Sequence, residues 1–357
     1  MTRSTTSAVE VDCTRIEGAA PGERVVSYAS TVEYGYVRQW VTDASGGTVC
    51  VRDGNAGCEL PGAGPYRVLS YVVDSVDSEA PVDYQIQVGS LSDPVGCPSV
   101  QPGDFGAAPA SPAGQVRCRL LDVPAAGAYT VDPVDTDRNA SVWSYVYDSA
   151  GRQICQGGDT GACTFPAAGS YPLVIGDPTR VADATVADAF LDRAGTQGCV
   201  PAAGGLNEGT LSAPGQFDCL QLSAPQGARI AALAPNTSDH VQVEAVDRDG
   251  LWQCGADTLS AGTCALTGTA PYRLLVHAAE YEQPSPYGVD VVGTDVPSPG
   301  CAVFPQSTFT DESNAVHLTT GRTQVRKKTD VTCSPSASTA LPGTAGRLGV
   351  GRPWRHL

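Results

Sequence analysis

The sequence predicts an all-β protein: tandem β-sandwich modules of about 100 residues, jelly-roll-like, followed by a disordered C-terminal tail. Three observations carry that expectation. The 357 residues include 40 Gly and 27 Pro but one Met and six Phe, a composition of many turns joining short segments. A cysteine, glycine and tyrosine pattern recurs with a period near one hundred residues. Between the turn signals, apolar residues alternate with polar ones at the period of a half-buried strand.

The register of the repeat is set by Gly96-Cys97, Gly198-Cys199 and Gly300-Cys301, which follow one another at intervals of 102 residues. They divide the chain into a first repeat over 1–95, a second over 96–197, a third over 198–299, and an incomplete fourth with a low-complexity tail over 300–357. Each opener follows Asp93-Pro94, the polar linker Arg193 to Gln197, or Pro297 to Pro299. A second cysteine, Cys118 or Cys219, comes next, with Leu121 or Leu222 three residues on; Cys13 and Ile16 occupy the same slot in the first repeat.

Further along each repeat, Asp43, Asp148 and Asp247 stand three residues before Gly46, Gly151 and Gly250, and these stand four before Cys50, Cys155 and Cys254. A partner cysteine follows at Cys58, Cys163 or Cys264. Leu60, Phe165 or Leu266 comes two residues later, and Tyr66, Tyr171 or Tyr272 eight residues after the cysteine. The unit reads as a hairpin. Val142 to Tyr147 and His240 to Val246 alternate as strands with one face buried; Asp-x-x-Gly then makes the turn, because Asp bonds its own backbone two residues on and Gly accepts positive φ. Tyr66 to Tyr71 and Tyr272 to Val276 read as the next strand, and Tyr84 to Val88 and Tyr287 to Val291 as the last of the module.

Thirteen cysteines beside four histidines, without short ligand spacings, favour disulfides over zinc and hence an oxidising compartment. Local pairing is the economical connectivity: Cys50–Cys58, Cys97–Cys118, Cys155–Cys163, Cys199–Cys219 and Cys254–Cys264. Loops of this size each contribute roughly 2.5 to 3.5 kcal/mol on the loop-entropy model, which suits modules poor in aromatic residues. Cys13 is left without a partner, whose slot the pattern puts ahead of Met1. Cys301 opens a fourth module whose pattern fades from Arg322. Cys333 is its available partner, and residues 322–357 are expected to be disordered.

Net charge is −16, and residues 1–320 hold 15 Arg, no Lys and 37 acidic residues, while the remainder is basic. So acidic a body repels phosphate backbones, which excludes a nucleic-acid role for it. There is no apolar run long enough to span a membrane, and Met1 to Glu10 lacks the apolar core of a secretory signal. The expected location is extracellular or at the cell surface, with the export signal not in this chain.

Over Asp122 to Ile175, the runs DVPAAGAYTV, VWSYVYDSAGRQIC and CTFPAAGSYPLVI resemble the bacterial pre-peptidase C-terminal domain. That family is similar in its order of strand, Asp-x-x-Gly turn, strand and Gly-x-Tyr strand. The resemblance covers about half of each repeat. The paired cysteines and Gly-Cys opener look more like large repeat-containing secreted proteins of actinobacteria. It implies a β-sandwich that is non-catalytic and serves substrate or surface binding, or the secretion and folding of a neighbour.

The search for chemistry returns little. His-Glu-x-x-His and Gly-x-Ser-x-Gly do not occur, Lys327 and Lys328 sit in no phosphate loop, and His240, His277, His317 and His356 are scattered. Asp132, Asp135 and Asp137 in one loop, and Asp247 with Asp249 in another, are the best calcium candidates, but turn geometry alone explains the recurring Asp. Leu341 to Gly346 is similar to a wall-sorting signal without its membrane segment. Asn139-Ala-Ser141 and Asn236-Thr-Ser238 match the glycosylation sequon. The recurring tyrosines with Trp143, Trp252 and Tyr145 could form aromatic platforms for sugars or peptides, although core filling explains recurrence better. No catalytic, cofactor-binding or metal residue is assigned and no cofactor is expected. The functional expectation is a non-catalytic secreted or cell-surface repeat protein acting as spacer, adhesin or ligand-binding array, with extracellular polysaccharide or protein as partner. The alternative is the accessory portion of a larger secreted hydrolase such as a peptidase.

Overall fold

The structure is a computed structural model that describes residues 2–5, 11–31, 36–52, 57–73, 82–109, 118–136, 140–157, 162–175, 186–234, 241–278, 285–295, 301–303, 325–326 and 331–333. It is all-β apart from one short helix, Ala256–Ser260. Among these residues no helix is long and apolar enough to cross a membrane.

The strands gather into sheet systems that follow the sequence repeat. In the third unit one sheet runs Val200–Pro201, Phe217–Leu222, Tyr272–Ala278, Val241–Val246, Trp252–Cys254, and the other Gly205–Leu211, Ser285–Gly293, Arg229–Leu233, Cys264–Ala265. With Gly205–Leu211 counted as the first strand and Val200–Pro201 left aside, the sheets read 2-7-4-5 and 1-8-3-6. This is the order of a jelly roll, in which long connections carry the chain from sheet to sheet. The second unit repeats it with Cys118–Val123, Gly169–Ile175, Ser144–Tyr147 and Gln153–Gly157 facing Val186–Asp192, Gly127–Asp135 and Ala162–Phe165. The first unit has the same two halves, joined into one folded sheet because Ser30 on Glu23–Thr31 pairs with Tyr36 on Tyr36–Thr42.

Each unit buries its own core between its sheets. In the second, Leu121, Val123, Val146 and Leu173 from one sheet meet Tyr129, Val131, Phe165 and Phe190 from the other. Leu220, Val243, Leu274 and Val289 do so in the third, and Val25, Val41, Leu60 and Val68 in the first. Disulfides close at Cys50–Cys58, Cys97–Cys118, Cys155–Cys163, Cys199–Cys219 and Cys254–Cys264, and Cys13 is free and exposed. The pairs Cys155–Cys163 and Cys254–Cys264 tie the fifth strand in one sheet to the sixth in the other, and Cys50–Cys58 ties the corresponding strands Thr48–Arg52 and Cys58–Leu60 across the two halves of the folded sheet.

The recurring tyrosine is structural. Tyr66, Tyr171 and Tyr272 are buried, and each hydroxyl donates to the carbonyl four residues upstream, at Gly62 (3.0 Å), Ala167 (2.9 Å) and Gly268. That bond ties the turn before the seventh strand to the strand itself, and burial of the ring without it would strand the hydroxyl.

Two sequence expectations need correction. Asp132 and Asp135 lie in the strand Gly127–Asp135 and are buried, not grouped in a loop; Asp137 lies outside the described residues. Ser144–Tyr147 and Val243 to Val246 do not alternate in burial, for every residue in both runs is buried. One face packs on the unit's own core, and the other packs on the preceding unit. The fourth repeat is described only as the strands Cys301–Val303, Val325–Arg326 and Val331–Cys333, with Cys301 opposite Cys333 in the ladder. The rest of 322–357, including Leu341 to Gly346, lies outside the described residues, as do Asn139, Asn236, His240, His317 and His356.

Candidate functional site: the seams between units

The Asp-x-x-Gly turns have one geometry throughout. Gly46, Gly151 and Gly250 each donate their N–H to the carbonyl of Asp43, Asp148 and Asp247, at 3.1, 2.9 and 3.1 Å. The Asp Oδ1 then accepts the N–H groups two and four residues on: Ser45 and Gly47 (both 2.8 Å), Ala150 and Arg152 (both 2.9 Å), Asp249 (3.0 Å) and Leu251 (2.9 Å). The three glycines have φ of 88°, 69° and 76°, which explains the residue type. Bonds from the Ser45 hydroxyl and the Gly47 N–H hold the Asp43 carboxyl below its ordinary range. At Asp148 burial pushes upward, but the bonds and charge of Arg152 outweigh it and the carboxyl again lies low. Oδ1 of each Asp is thus engaged by its own turn, and that geometry accounts for the recurring residue.

In the second and third units this turn is also the point of docking. The Gly57 N–H of the first unit donates to the Gly151 carbonyl at 2.9 Å, and Arg193 Nε of the second unit donates to the Gly250 carbonyl at 3.0 Å. Both glycines are buried, and a Cβ on either would press on the preceding unit: 2.9 Å from Arg24 Cδ at Gly151, 2.7 Å from Arg193 Cβ at Gly250. Around the first seam Val26 and Leu91 pack on Tyr145, Tyr147 and Val174. Around the second, Phe105, Ala189 and Leu191 pack on Phe217, Val246 and Leu275.

The seam between the second and third units adds charge. Arg193 grips Glu244 with both outer nitrogens, Nη1 to Oε1 at 2.8 Å and Nη2 to Oε2 at 3.0 Å, and Nη1 also reaches the Thr130 hydroxyl at 3.2 Å. Arg273 works from the other side. Its Nη2 donates to the Asp247 and Arg248 carbonyls of its own turn (2.6 and 3.1 Å), and its Nη1 to the Ala194 and Gly195 carbonyls of the preceding unit (2.7 and 3.0 Å). Arg193 and Arg273 are each only 1% exposed, so Arg193 begins no solvated linker. Bidentate pairing and carbonyl bonds supply the compensation such burial demands.

The chain matches no family model and no curated protein. What the site can do must therefore be read from its chemistry. His277 is buried at the same seam, its ring stacked on Phe217 at 4.5 Å; burial holds its pKa down against the attraction of Glu244. Among the described residues, two clefts of the third unit measure 640 and 480 Å³, with Asp257 as the charged lining residue of one and Arg229 with Asp295 of the other, and His277 lines neither. Among the described residues no three His, Cys, Asp or Glu side chains are grouped to hold a metal ion. Trp143 and Trp252 are both 58% exposed, whereas Tyr145 is buried in the first seam, so these aromatics do not form one platform.

Sequence reasoning did not single out Arg193, Glu244 or Arg273. One signal was available: Glu244 stands at a position where the other repeats carry the aromatic residues Trp40 and Tyr145.

Proposed function

We propose that the chain is a non-catalytic spacer or adhesive array of extracellular β-sandwich modules, with the repeats 1–95, 96–197 and 198–299 as its building blocks. The observation that carries this reading is the recurrence of the same buried turn glycine, Gly151 and Gly250, as an acceptor of a hydrogen bond from the preceding unit at successive seams. A repeat that buries its turn against its neighbour holds spacing and orientation, the property a stalk needs to present whatever it carries. The five disulfides among the described residues support an oxidising location, outside the cytoplasm or on the cell surface. Small-angle scattering of the full, non-reduced chain tests the reading. A spacer gives an extended particle whose dimensions do not change between low and high salt; a particle that collapses or broadens with salt contradicts it.

The similarity of Asp122 to Ile175 to pre-peptidase C-terminal domains favours a second reading, in which the array is the accessory part of a larger secreted hydrolase. The partner would then be the hydrolase's protein or polysaccharide substrate. Binding of the chain to denatured protein or to cell-wall polysaccharide in a pull-down favours that reading, and no retention on either counts against it.

A further inference from the structure

The seam between the second and third units buries a titratable ring that takes no part in the hydrogen bonds joining them. His277, on the strand Tyr272–Ala278, is 5% exposed. It stands opposite Phe217 in the ladder and lies flat on it, with 17° between the planes and 4.5 Å between the centroids. Phe217 in turn packs on Phe105, Ala189 and Leu191 of the second unit. Among the described residues the ring makes one hydrogen bond, from Nδ1 to its own Ala278 carbonyl at 3.2 Å. A carbonyl only accepts, so Nδ1 carries the proton and the neutral ring is satisfied. A second proton, on Nε2, would be a buried donor without an acceptor.

None of the charged groups around the ring bonds it. Glu244, on the neighbouring strand Val241–Val246, attracts a proton to the ring, and Arg193 of the second unit repels one. Both Glu244 oxygens are already held by Arg193. Arg273, on the same strand as His277, commits both outer nitrogens to four carbonyls. Asp218, next to Phe217, accepts from Gln216 Nε2 and from the Tyr287 hydroxyl, both at 2.8 Å. Asp132 faces the seam from the second unit, on the side of Gly127–Asp135 that carries Thr130 beside Arg193 and Val134 beside Gly215. A protonated His277 therefore either sits unpaired in the seam or draws Glu244 off Arg193. Each outcome loosens the hold of one unit on the other.

We infer that His277 makes the second seam acid-sensitive: protonation of its imidazole undocks the third unit from the second and turns a fixed joint into a hinge. The first seam has no such group, since the chain carries no histidine before His240. Burial holds the docked ring's pKa down, whereas the ring of an open seam returns to about 6.5. The open state thus takes the proton more readily. Docking is at full strength above about pH 6.5 and weakens as pH falls below it, by up to about tenfold per pH unit, until the docked ring itself titrates. The array is then stiff at neutral pH and jointed between its second and third units in acid. The inference rests on the array reading for the docked seam and adds the condition that opens it.

The test is amide hydrogen exchange on the full, non-reduced chain between about pH 7.5 and about pH 5. Gly106 donates its N–H to the Phe217 carbonyl across the second seam at 2.8 Å, and Gly57 donates to the Gly151 carbonyl across the first at 2.9 Å, so each amide reports on one seam. After correction for the intrinsic pH dependence of exchange, protection at Gly106 is expected to fall roughly tenfold per pH unit below about pH 6.5, while protection at Gly57 stays level. His277→Phe keeps an aromatic ring beside Phe217 and leaves Glu244, Arg193 and Asp132 in place, so it should hold Gly106 level as well. If that variant fails to fold, the two amides of the parent chain still decide. Level protection at Gly106 in the parent, a fall shared with Gly57, or a fall that survives in His277→Phe overturns the inference. Of these, protection that is high and level leaves the array reading intact, whereas low protection at both amides at every pH overturns both.

Discussion

Arg193 and Glu244 meet across the seam between the second and third units as a buried bidentate pair, with Nη1–Oε1 at 2.8 Å and Nη2–Oε2 at 3.0 Å. Their side chains are 1% and 9% exposed. Two charges so far from water hold their place only because both outer nitrogens and both oxygens are matched. Truncating one partner is expected to cost about 3–5 kcal/mol, since the other is left buried and unpaired. Glu244→Ala should therefore destabilise the third unit by that amount in urea unfolding, while the double replacement Arg193→Met with Glu244→Leu should lose far less. Equal losses in the two variants would show that the pair does not bear on the seam.

The turn glycines give an internal comparison. All three sit at positive φ, so an alanine at any of them is expected to cost about 1–2 kcal/mol from backbone strain. Gly250→Ala must also displace Arg193 and the Ala194 backbone, 2.7 and 2.9 Å from the new Cβ, whereas Gly46→Ala meets nothing among the described residues. Thermal unfolding should rank Gly250→Ala and Gly151→Ala as the more damaging. A larger loss at Gly46 contradicts the docking role of the turn.

Asp43 and Asp148 link stability to pH. Their carboxyls titrate lower in the folded chain than in the unfolded one, where Asp lies near about 3.9. Their contribution is therefore complete above that value and is lost as pH falls through the folded pKa values. The melting temperature of the Asp43→Asn, Asp148→Asn double variant should fall less steeply below about pH 4 than that of the parent. Parallel slopes would show that the turns are not stabilised through the ionised carboxylates.

Tyr171→Phe keeps the buried ring but leaves the Ala167 carbonyl without its 2.9 Å hydroxyl bond. A loss of about 1 kcal/mol is expected by denaturant unfolding, with no change in the disulfide map. No loss would return the repeated tyrosine to a filling role alone.

Much of the fold was legible because its determinants are local. Asp43, Gly46 and Cys50 act within one hairpin, and Tyr66 bonds four residues upstream, so their spacing survives in the sequence whatever the rest of the module does. The seams were not legible in that way. Arg193 and Glu244 are 51 residues apart, and Arg67 and Arg273 look alike in sequence although Arg273 is buried and Arg67 only half-buried. Alternation misled for the same reason: a strand such as Ser144–Tyr147, buried on both faces, does not alternate, because a second surface arrives from a different module. Asp132 and Asp135 read with Asp137 as one acidic loop, yet they lie in a strand that pairs with Val186–Asp192.

The central claim, that the seams fix the units relative to one another, is tested most directly by the distance between spin labels attached by non-cysteine chemistry at exposed Val51 of the first unit and Leu251 of the third. Docked seams predict a single narrow distance distribution in the full chain that broadens in Glu244→Ala. A broad or multiple distribution in the unmodified chain would contradict it.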